Sequence, residues 1–117
     1  LLEKLCIFIE IIKERQTMKT IYFIDYERDI LDIYTMLIKD EVAAEIKCLL
    51  SFRDKEFLPK AGDICIHELD GVGKIVKIPD VVYIVCTALP NREENSYRKL
   101  IDTKKMIKDV ISFVNNA

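Results

Sequence analysis

Glycine and histidine are scarce in this chain, and their scarcity removes several common kinds of site. The 117 residues include only three glycines and one histidine. Gly62, Gly71 and Gly73 are too few and wrongly spaced to form the dinucleotide-binding fingerprint or a P-loop. His67 has no second ligand or nucleophile at a suitable spacing, which is typical of a structural histidine. The sequence therefore lacks the marks of a nucleotide-binding or zinc-binding protein.

Long apolar runs and an excess of one charge are also missing. No apolar stretch reaches the roughly 20 residues that a membrane-spanning helix needs. The net charge is −2, and no block of lysine and arginine is interleaved with aromatic residues, so we expect no membrane and no nucleic-acid partner. Half of the residues are apolar and 32% are charged, which is typical of one soluble globular domain.

Cysteine is present, but without a pattern that indicates disulfides or a metal. Cys48, Cys65 and Cys86 each lie within an apolar run, and no CxxC or Cys/His spacing occurs. We predict that these three thiols are reduced and buried. Together with the lack of a cleavable signal, this predicts a cytoplasmic protein.

Residues 1–17 predict an amphipathic helical extension. Its apolar residues recur at helical spacing, and charged residues occupy much of the remaining surface. Met18 follows directly and is a candidate initiator, in which case residues 1–17 are an upstream extension. The alternative is a helix that pairs with a partner or with a second copy in a homodimer. Residues 18–117 form the domain proper.

Four apolar segments predict strands of a parallel sheet. Residues 21–24, 64–66 and 81–86 are continuous apolar runs, as expected for central strands that are covered on both faces. Residues 44–49 partly alternate polar with apolar residues, which predicts a strand near the edge of the sheet. A fifth strand is expected near residues 96–98.

Helical spacing alternates with these strands. Residues 30–38 and 106–114 predict two helices, and Asp102 is placed to cap the second. A short helix is also expected at residues 51–57. Alternation of strand and helix with right-handed crossovers favours a doubly wound five-stranded parallel α/β sheet.

In such a sheet, functional side chains collect where the strands end. Asp25, Glu68, Thr87 and Lys99 each follow or end a predicted strand. Carboxylates suit hard cations, and lysine and threonine suit phosphate oxygens, so this edge predicts a site for a phosphoryl group or a metal ion.

From residue 18 onward the chain resembles response-regulator receiver domains of two-component systems. The resemblance is carried, in order, by residues 19–25, 62–68, 85–88 and 99–102. It implies a flavodoxin-like fold with strand order 2-1-3-4-5. It further implies that Asp25 belongs to a Mg²⁺ site and that Thr87 and Lys99 contact the phosphoryl group. A histidine kinase or a downstream signalling protein would be the partner.

The sequence departs from that family at the acidic positions. Tyr26 stands where a second acidic residue is usual, and Glu27 comes one place later, so only Asp25 and Glu27 remain as metal ligands. Glu68, five residues after Asp63, stands where the family has its phosphoacceptor aspartate. Its carboxylate is one methylene longer and is predicted to pair with Lys99 as a fixed negative charge.

The connections after the third and fourth strands are shorter than is usual in the family. Only 18 residues separate Glu68 from Thr87 and 11 separate Thr87 from Lys99, which predicts a third helix shortened to residues 72–77 and a fourth reduced to a loop over residues 90–95. Ser96 occupies the position of the family's switch aromatic, with Tyr97 offset by one residue and hence on the opposite face of the strand.

These observations favour a non-enzymatic pseudo-receiver that binds a protein partner without phosphorylation and without a cofactor. One alternative is a working phosphorelay receiver that accepts phosphate on a displaced residue, Asp70, with Mg²⁺ bound. Another is a flavodoxin-like ligand-binding domain that is unrelated to signalling.

Overall fold

A computed structural model describes residues 2–7, 18–89 and 95–116. Helix α1 covers residues 2–7, α2 covers Arg28–Ile38 and α3 covers Thr103–Asn115. The strands are β1 Thr20–Ile24, β2 Glu45–Leu49, β3 Ile64–His67, β4 Val82–Thr87 and β5 Ser96–Arg98. All neighbouring strands pair in parallel, in the order β2-β1-β3-β4-β5. The predicted flavodoxin-like α/β fold is confirmed.

The position of each strand follows its hydrophobic pattern. Every residue of β1 and β3 is buried, and these strands lie inside the sheet together with β4. By contrast β2, which alternates polar and apolar residues, lies at one edge, and its first residue is exposed. Burying one large apolar side chain contributes about 1.5–3 kcal/mol, so the continuous runs favour the central positions.

One face of the sheet is covered by helices α2 and α3. Phe23 and Ile66 from the central strands pack there against Leu31 and Tyr34 of α2 and Met106 of α3, all of them buried. Since apolar residues recur on one side of each helix, the two amphipathic segments bury that side on the sheet. Both long helices were predicted from their spacing, and both are confirmed.

Among the described residues, the opposite face is covered by irregular chain instead of helices. Tyr22 and Cys65 point to this side, where Phe52 and Phe57 from the β2–β3 connection and Val72 from the β3–β4 connection pack against them. The two connections are joined by the Phe52 N–H, which donates to the Val72 carbonyl oxygen at 2.8 Å.

The short helices expected at residues 51–57 and 72–77 were wrong. In the first segment Ser51 Oγ accepts a hydrogen bond from Arg53 N and Asp54 Oδ1 accepts one from Glu56 N, and such side-chain turns compete with a helix. The second segment is preceded by Gly71 and includes Gly73, whose φ angles of +76° and +86° lie in the left-handed region. Each connection therefore covers the sheet with turns.

Two smaller predictions also need correction. Asp102 is the N-cap residue of α3, but its carboxylate accepts hydrogen bonds from Arg98 rather than from the first turn of the helix. Cys65 and Cys86 are buried as predicted, while Cys48 is only half-buried, and all these thiols are free. Burial raises the pKa of both the Cys65 and the Cys86 thiol.

The ends of the chain and one connection are described only in part. Residues 2–7 are helical, with Leu2 and Leu5 exposed, while residues 8–17 of the predicted extension lie outside the described residues. The same holds for residues 90–94 of the predicted loop. No helix within the described parts of the chain has the length and apolar character needed to cross a bilayer.

Candidate functional site

Four of the predicted site residues meet at the carboxyl-terminal edge of the sheet. Asp25 follows β1, Glu68 follows β3, Thr87 ends β4 and Lys99 follows β5. Backbone hydrogen bonds continue the sheet past the strand ends: Glu68 N–H donates to the Ile24 carbonyl oxygen at 3.0 Å, and Lys99 N–H donates to that of Thr87 at 2.9 Å. Because the strands are parallel, this continuation brings the four side chains together.

The Lys99 ammonium group is surrounded by three carboxylates. Its Nζ lies 2.8 Å from Asp25 Oδ2, 3.1 Å from Glu68 Oε2 and 3.2 Å from Glu27 Oε1. The side chains of Lys99, Asp25 and Glu68 are 5%, 2% and 3% exposed, whereas that of Glu27 is 48% exposed. We call these four residues the Lys99 cluster. Each contact is a charge-assisted hydrogen bond, and two of the three are shielded from water.

Glu68 has partners for both of its carboxylate oxygens. Oε1 accepts a hydrogen bond from the Leu69 N–H at 2.8 Å, and Oε2 accepts one from Lys99. Burial raises the pKa of Glu68, but hydrogen bonds from Thr87, from the Leu69 backbone and from Lys99 together outweigh it, so that the pKa lies below its usual range. Glu68 is therefore a fixed negative charge at neutral pH.

Burial outweighs hydrogen bonding for Asp25, whereas hydrogen bonding outweighs burial for Lys99. Burial raises the pKa of Asp25, and the hydrogen bonds from Lys99 and from the Glu27 N–H only partly offset it. For Lys99, burial lowers the pKa, but hydrogen bonds to Asp25, Glu68 and Glu27 outweigh it and the pKa is raised. The ammonium therefore stays protonated, and of the two buried carboxyl groups Asp25 is the one whose pKa is raised.

Tyr26 lies over the ammonium group. The centre of its ring is 4.8 Å from Lys99 Nζ, within the range of a cation–π contact. A hydrogen bond with Glu27 raises the pKa of the Tyr26 hydroxyl. The residue is 49% exposed, so its side chain contacts both solvent and the Lys99 ammonium.

The predicted metal ligands are already engaged. Asp25 and Glu27 each direct an oxygen at Lys99 Nζ, at 2.8 and 3.2 Å. A divalent cation on the same oxygens would lie beside the ammonium, and two cations at that spacing repel each other. Among residues 2–7, 18–89 and 95–116, no group of three or more His, Cys, Asp or Glu side chains is arranged to hold a metal ion. As arranged, the residues do not fit Mg²⁺.

Thr87 and Asp70 occupy different surroundings. Thr87 is buried, bonds to Glu68, and accepts a hydrogen bond from the Leu89 N–H at 3.1 Å, so it joins the cluster to the chain after β4. Asp70 is exposed, and the carboxylates bound to Lys99 are those of Asp25, Glu27 and Glu68. The structure thus brings Glu68, rather than Asp70, to the lysine.

His67 is part of the core beneath the site. Its ring packs edge-on against Phe52 and Tyr83, with centroids 5.1 and 6.2 Å away, and its Nδ1 lies 2.8 Å from the Glu68 carbonyl oxygen. The side chain is 3% exposed. These contacts agree with the structural role expected from the sequence.

Gly71 is a site residue that the sequence did not indicate. A Cβ atom at this position would lie 2.7 Å from Tyr26 Cδ1 and 2.9 Å from Cγ, so the ring packs directly on the glycine. The available signal was the presence of two of the three glycines within residues 70–73. Such a pair of glycines is typical of a turn, but it carries no information about which side chain the turn contacts.

Comparison of the chain with family models, with curated proteins and with solved structures finds no match. The properties that bear on function are those of the Lys99 cluster itself. It combines a buried ion pair and a second buried carboxylate, and its solvent side is formed by Glu27 and the neighbouring Tyr26, which are both half-exposed. Such a cluster can hold loops in one arrangement, since moving Lys99 away would leave the buried carboxylates of Asp25 and Glu68 without their counter-charge.

Proposed function

We propose that this chain is a cytoplasmic, receiver-like regulatory domain of two-component signalling that binds a protein partner without being phosphorylated. In this proposal Glu68 stands in the place of the phosphoacceptor, and Asp25, Thr87 and Lys99 correspond to the other positions of the family's pocket. The strand order and the convergence of these four side chains are the general support for it.

The buried contact between Lys99 Nζ and Glu68 Oε2, at 3.1 Å, carries the proposal. In receivers the corresponding lysine contacts the phosphoryl group. Here the extra methylene brings the carboxylate itself to the ammonium, so the ion pair is complete without a transferred group. Both oxygens of Glu68 are also held by hydrogen bonds, Oε1 by the Leu69 N–H and Oε2 by Lys99.

A protein partner is supported by the surface next to the site. Leu89 follows β4, and Leu100 and Ile101 follow Lys99; they are 49%, 69% and 70% exposed. Leu100 also has a φ angle of +69°, which is costly for a branched residue and marks a turn that the surrounding structure enforces. A histidine kinase or a downstream signalling protein would cover these apolar side chains, and its binding would depend on the conformation of the loop after β5 that carries Lys99.

Acetyl phosphate with Mg²⁺, followed by intact-mass analysis, tests the proposal. We expect the wild-type chain to remain unmodified, and beryllofluoride to leave its amide NMR spectrum unchanged. Stoichiometric phosphorylation of the wild-type chain would contradict the proposal.

Two variants identify the acceptor if phosphorylation is seen. Loss of labelling in Asp70→Asn but not in Glu68→Gln would establish the alternative, a receiver that uses a displaced aspartate. Loss only in Glu68→Gln would make Glu68 itself the acceptor. Glu68→Asp restores the side-chain length that is usual in the family and tests whether the rest of the pocket is competent.

A further inference from the structure

An open groove lies between helices α2 and α3. Its volume is about 350 Å³, which is within the range of binding pockets, and it is lined by Leu37, Glu41, Lys104, Ile107, Lys108 and Ile111. We call these residues the α2–α3 groove. Ile107 is buried, whereas Leu37 and Ile111 are half-buried and present apolar surface to the groove. The groove shares no residue with the Lys99 cluster, so it is a separate candidate binding surface.

The two sides of the α2–α3 groove carry opposite charges. On the α3 side, Lys104 and Lys108 are exposed and four positions apart, so their ammonium groups project from adjacent turns of one helix face. On the other side, Glu41 follows the end of α2 and is also exposed. Its backbone is tied to α3, because the Asn115 side-chain amide donates to the Glu41 carbonyl oxygen at 3.2 Å. A matching partner therefore has an apolar strip with an acidic edge toward α3 and a basic edge toward α2.

Helix α1 of this chain has that pattern. Leu2 and Leu5 are three positions apart, so they share one face of the helix, and each is more than half exposed. With about 3.6 residues per turn, Glu3 lies on one flank of this apolar face and Lys4 lies on the other. Glu10, which lies outside the described residues, comes seven positions after Glu3, a spacing that continues the acidic flank of the helix predicted from the sequence.

We propose that α1 of one molecule binds in the α2–α3 groove of a second copy, and that two copies exchange their α1 helices to form a homodimer. Within one molecule the leucines of α1 are exposed and the groove is open, so neither apolar surface covers the other. Placing α1 of a second copy in the groove buries both surfaces. Because helix and groove belong to the same chain, reciprocal exchange makes two identical contacts and closes with two-fold symmetry.

The charges fix how α1 lies in the groove. Glu3 faces Lys104 and Lys108 on the α3 side of the second copy. Lys4 then faces Glu41 on the opposite side. The proposal does not rest on the proposed function, since the groove includes neither the Lys99 cluster nor the exposed apolar residues beside it.

Sedimentation equilibrium of the full chain tests the homodimer. We expect a dimer that dissociates on dilution. Leu5→Ser removes one apolar contact from each half of the exchange and should raise the dissociation constant about tenfold or more. Lys108→Glu places a negative charge opposite Glu3 and should also weaken the dimer about tenfold, and adding Glu3→Lys to it should restore the affinity.

Lys105→Glu is the matched control. Lys105 is exposed on the same helix as Lys108, and its substitution makes the same change in net charge, but it does not line the groove. We expect Lys105→Glu to dissociate like the wild type. Because Leu5, Lys105 and Lys108 are all exposed, each variant should fold, and its amide NMR spectrum checks this.

Isotope-filtered NMR on a mixture of labelled and unlabelled chains identifies the contact itself. We expect cross-peaks between the Leu5 methyl groups of one copy and the Ile111 methyl groups of the other. The proposal is overturned if the chain stays monomeric at NMR concentrations, or if these cross-peaks arise only within one molecule, which would mean that α1 occupies its own groove. A dimer that Leu5→Ser and Lys108→Glu leave unchanged, or that Lys105→Glu weakens as much as Lys108→Glu, would use another surface and would also overturn it.

Discussion

Replacing Lys99 with methionine keeps most of the aliphatic stem and removes the ammonium group from the Lys99 cluster. Asp25 and Glu68, which are 2% and 3% exposed, then lose the positive charge that lies 2.8 and 3.1 Å away. Removing one partner of a buried ion pair typically costs about 3–5 kcal/mol, because the remaining charge stays desolvated and unpaired. We expect Lys99→Met to lower the free energy of unfolding by this amount at pH 7.

The control for this substitution is Lys47→Met. Lys47 Nζ lies 4.0 Å from Glu45 Oε1, and the two side chains are 35% and 53% exposed. A surface pair of this kind contributes about 0–1 kcal/mol. Urea denaturation of both variants, followed by far-ultraviolet circular dichroism, gives the two costs directly.

The destabilisation by Lys99→Met should also change with pH in a definite direction. Without Lys99, the pKa values of Asp25 and Glu68 in the folded state are expected to rise above their values in the unfolded chain, because burial acts with no counter-charge. Stability then falls as the pH rises through the folded-state values, so the cost of Lys99→Met should shrink between pH 7 and pH 5. A cost no larger than that of Lys47→Met, or one that grows on acidification, would refute the description of the cluster.

Two further outcomes follow from the rest of the structure. Asp63→Ala should lower the free energy of unfolding by about 2–3 kcal/mol in urea denaturation, because the buried carboxylate accepts hydrogen bonds from Thr20 N and Lys60 N, at 2.9 and 2.8 Å. A decrease below about 1 kcal/mol would contradict this. Burial and the hydrogen bond to Asp109 raise the pKa of Tyr97 to about 12, so the stabilisation that Tyr97 contributes is present below pH 10 and is lost as the pH rises toward 12. In Tyr97→Phe the free energy of unfolding should depend on pH in this range with a slope that is smaller by one proton. An unchanged slope in alkaline denaturation would disprove the assignment.

The predicted strands succeeded where a single physical cause dominated. The run Ile21-Tyr22-Phe23-Ile24 can bury every side chain only inside a covered sheet, and β1 lies there. The expected helix at residues 51–57 failed because Ser51 and Asp54 form turns with nearby backbone N–H groups. Local hydrogen bonding of this kind competes closely with helix formation, and hydrophobic spacing alone does not decide between them.

The site was predictable to the extent that parallel strands end at one edge. That rule placed Asp25, Glu68, Thr87 and Lys99 together from their positions after apolar runs, and in the structure they are in contact. It did not predict that Glu27 would be a third partner of the ammonium. The loop after β1 turns back so that the Glu27 N–H donates to Asp25 Oδ1 at 2.8 Å, a local turn that hydrophobic spacing does not reveal.

By itself the amino-acid sequence determined that the sheet is parallel and at which edge its charged residues collect, because continuous apolar runs need covered strands and right-handed connections bring the strand ends to one edge. The order of the strands was expected from the resemblance to receiver domains and not from these patterns. Only the tertiary structure decided how that edge is closed. Tyr26 covers Lys99 because Gly71, 45 positions further along the chain, comes close enough to touch its ring. A contact between residues so far apart depends on how two connections pack, and no local pattern encodes it.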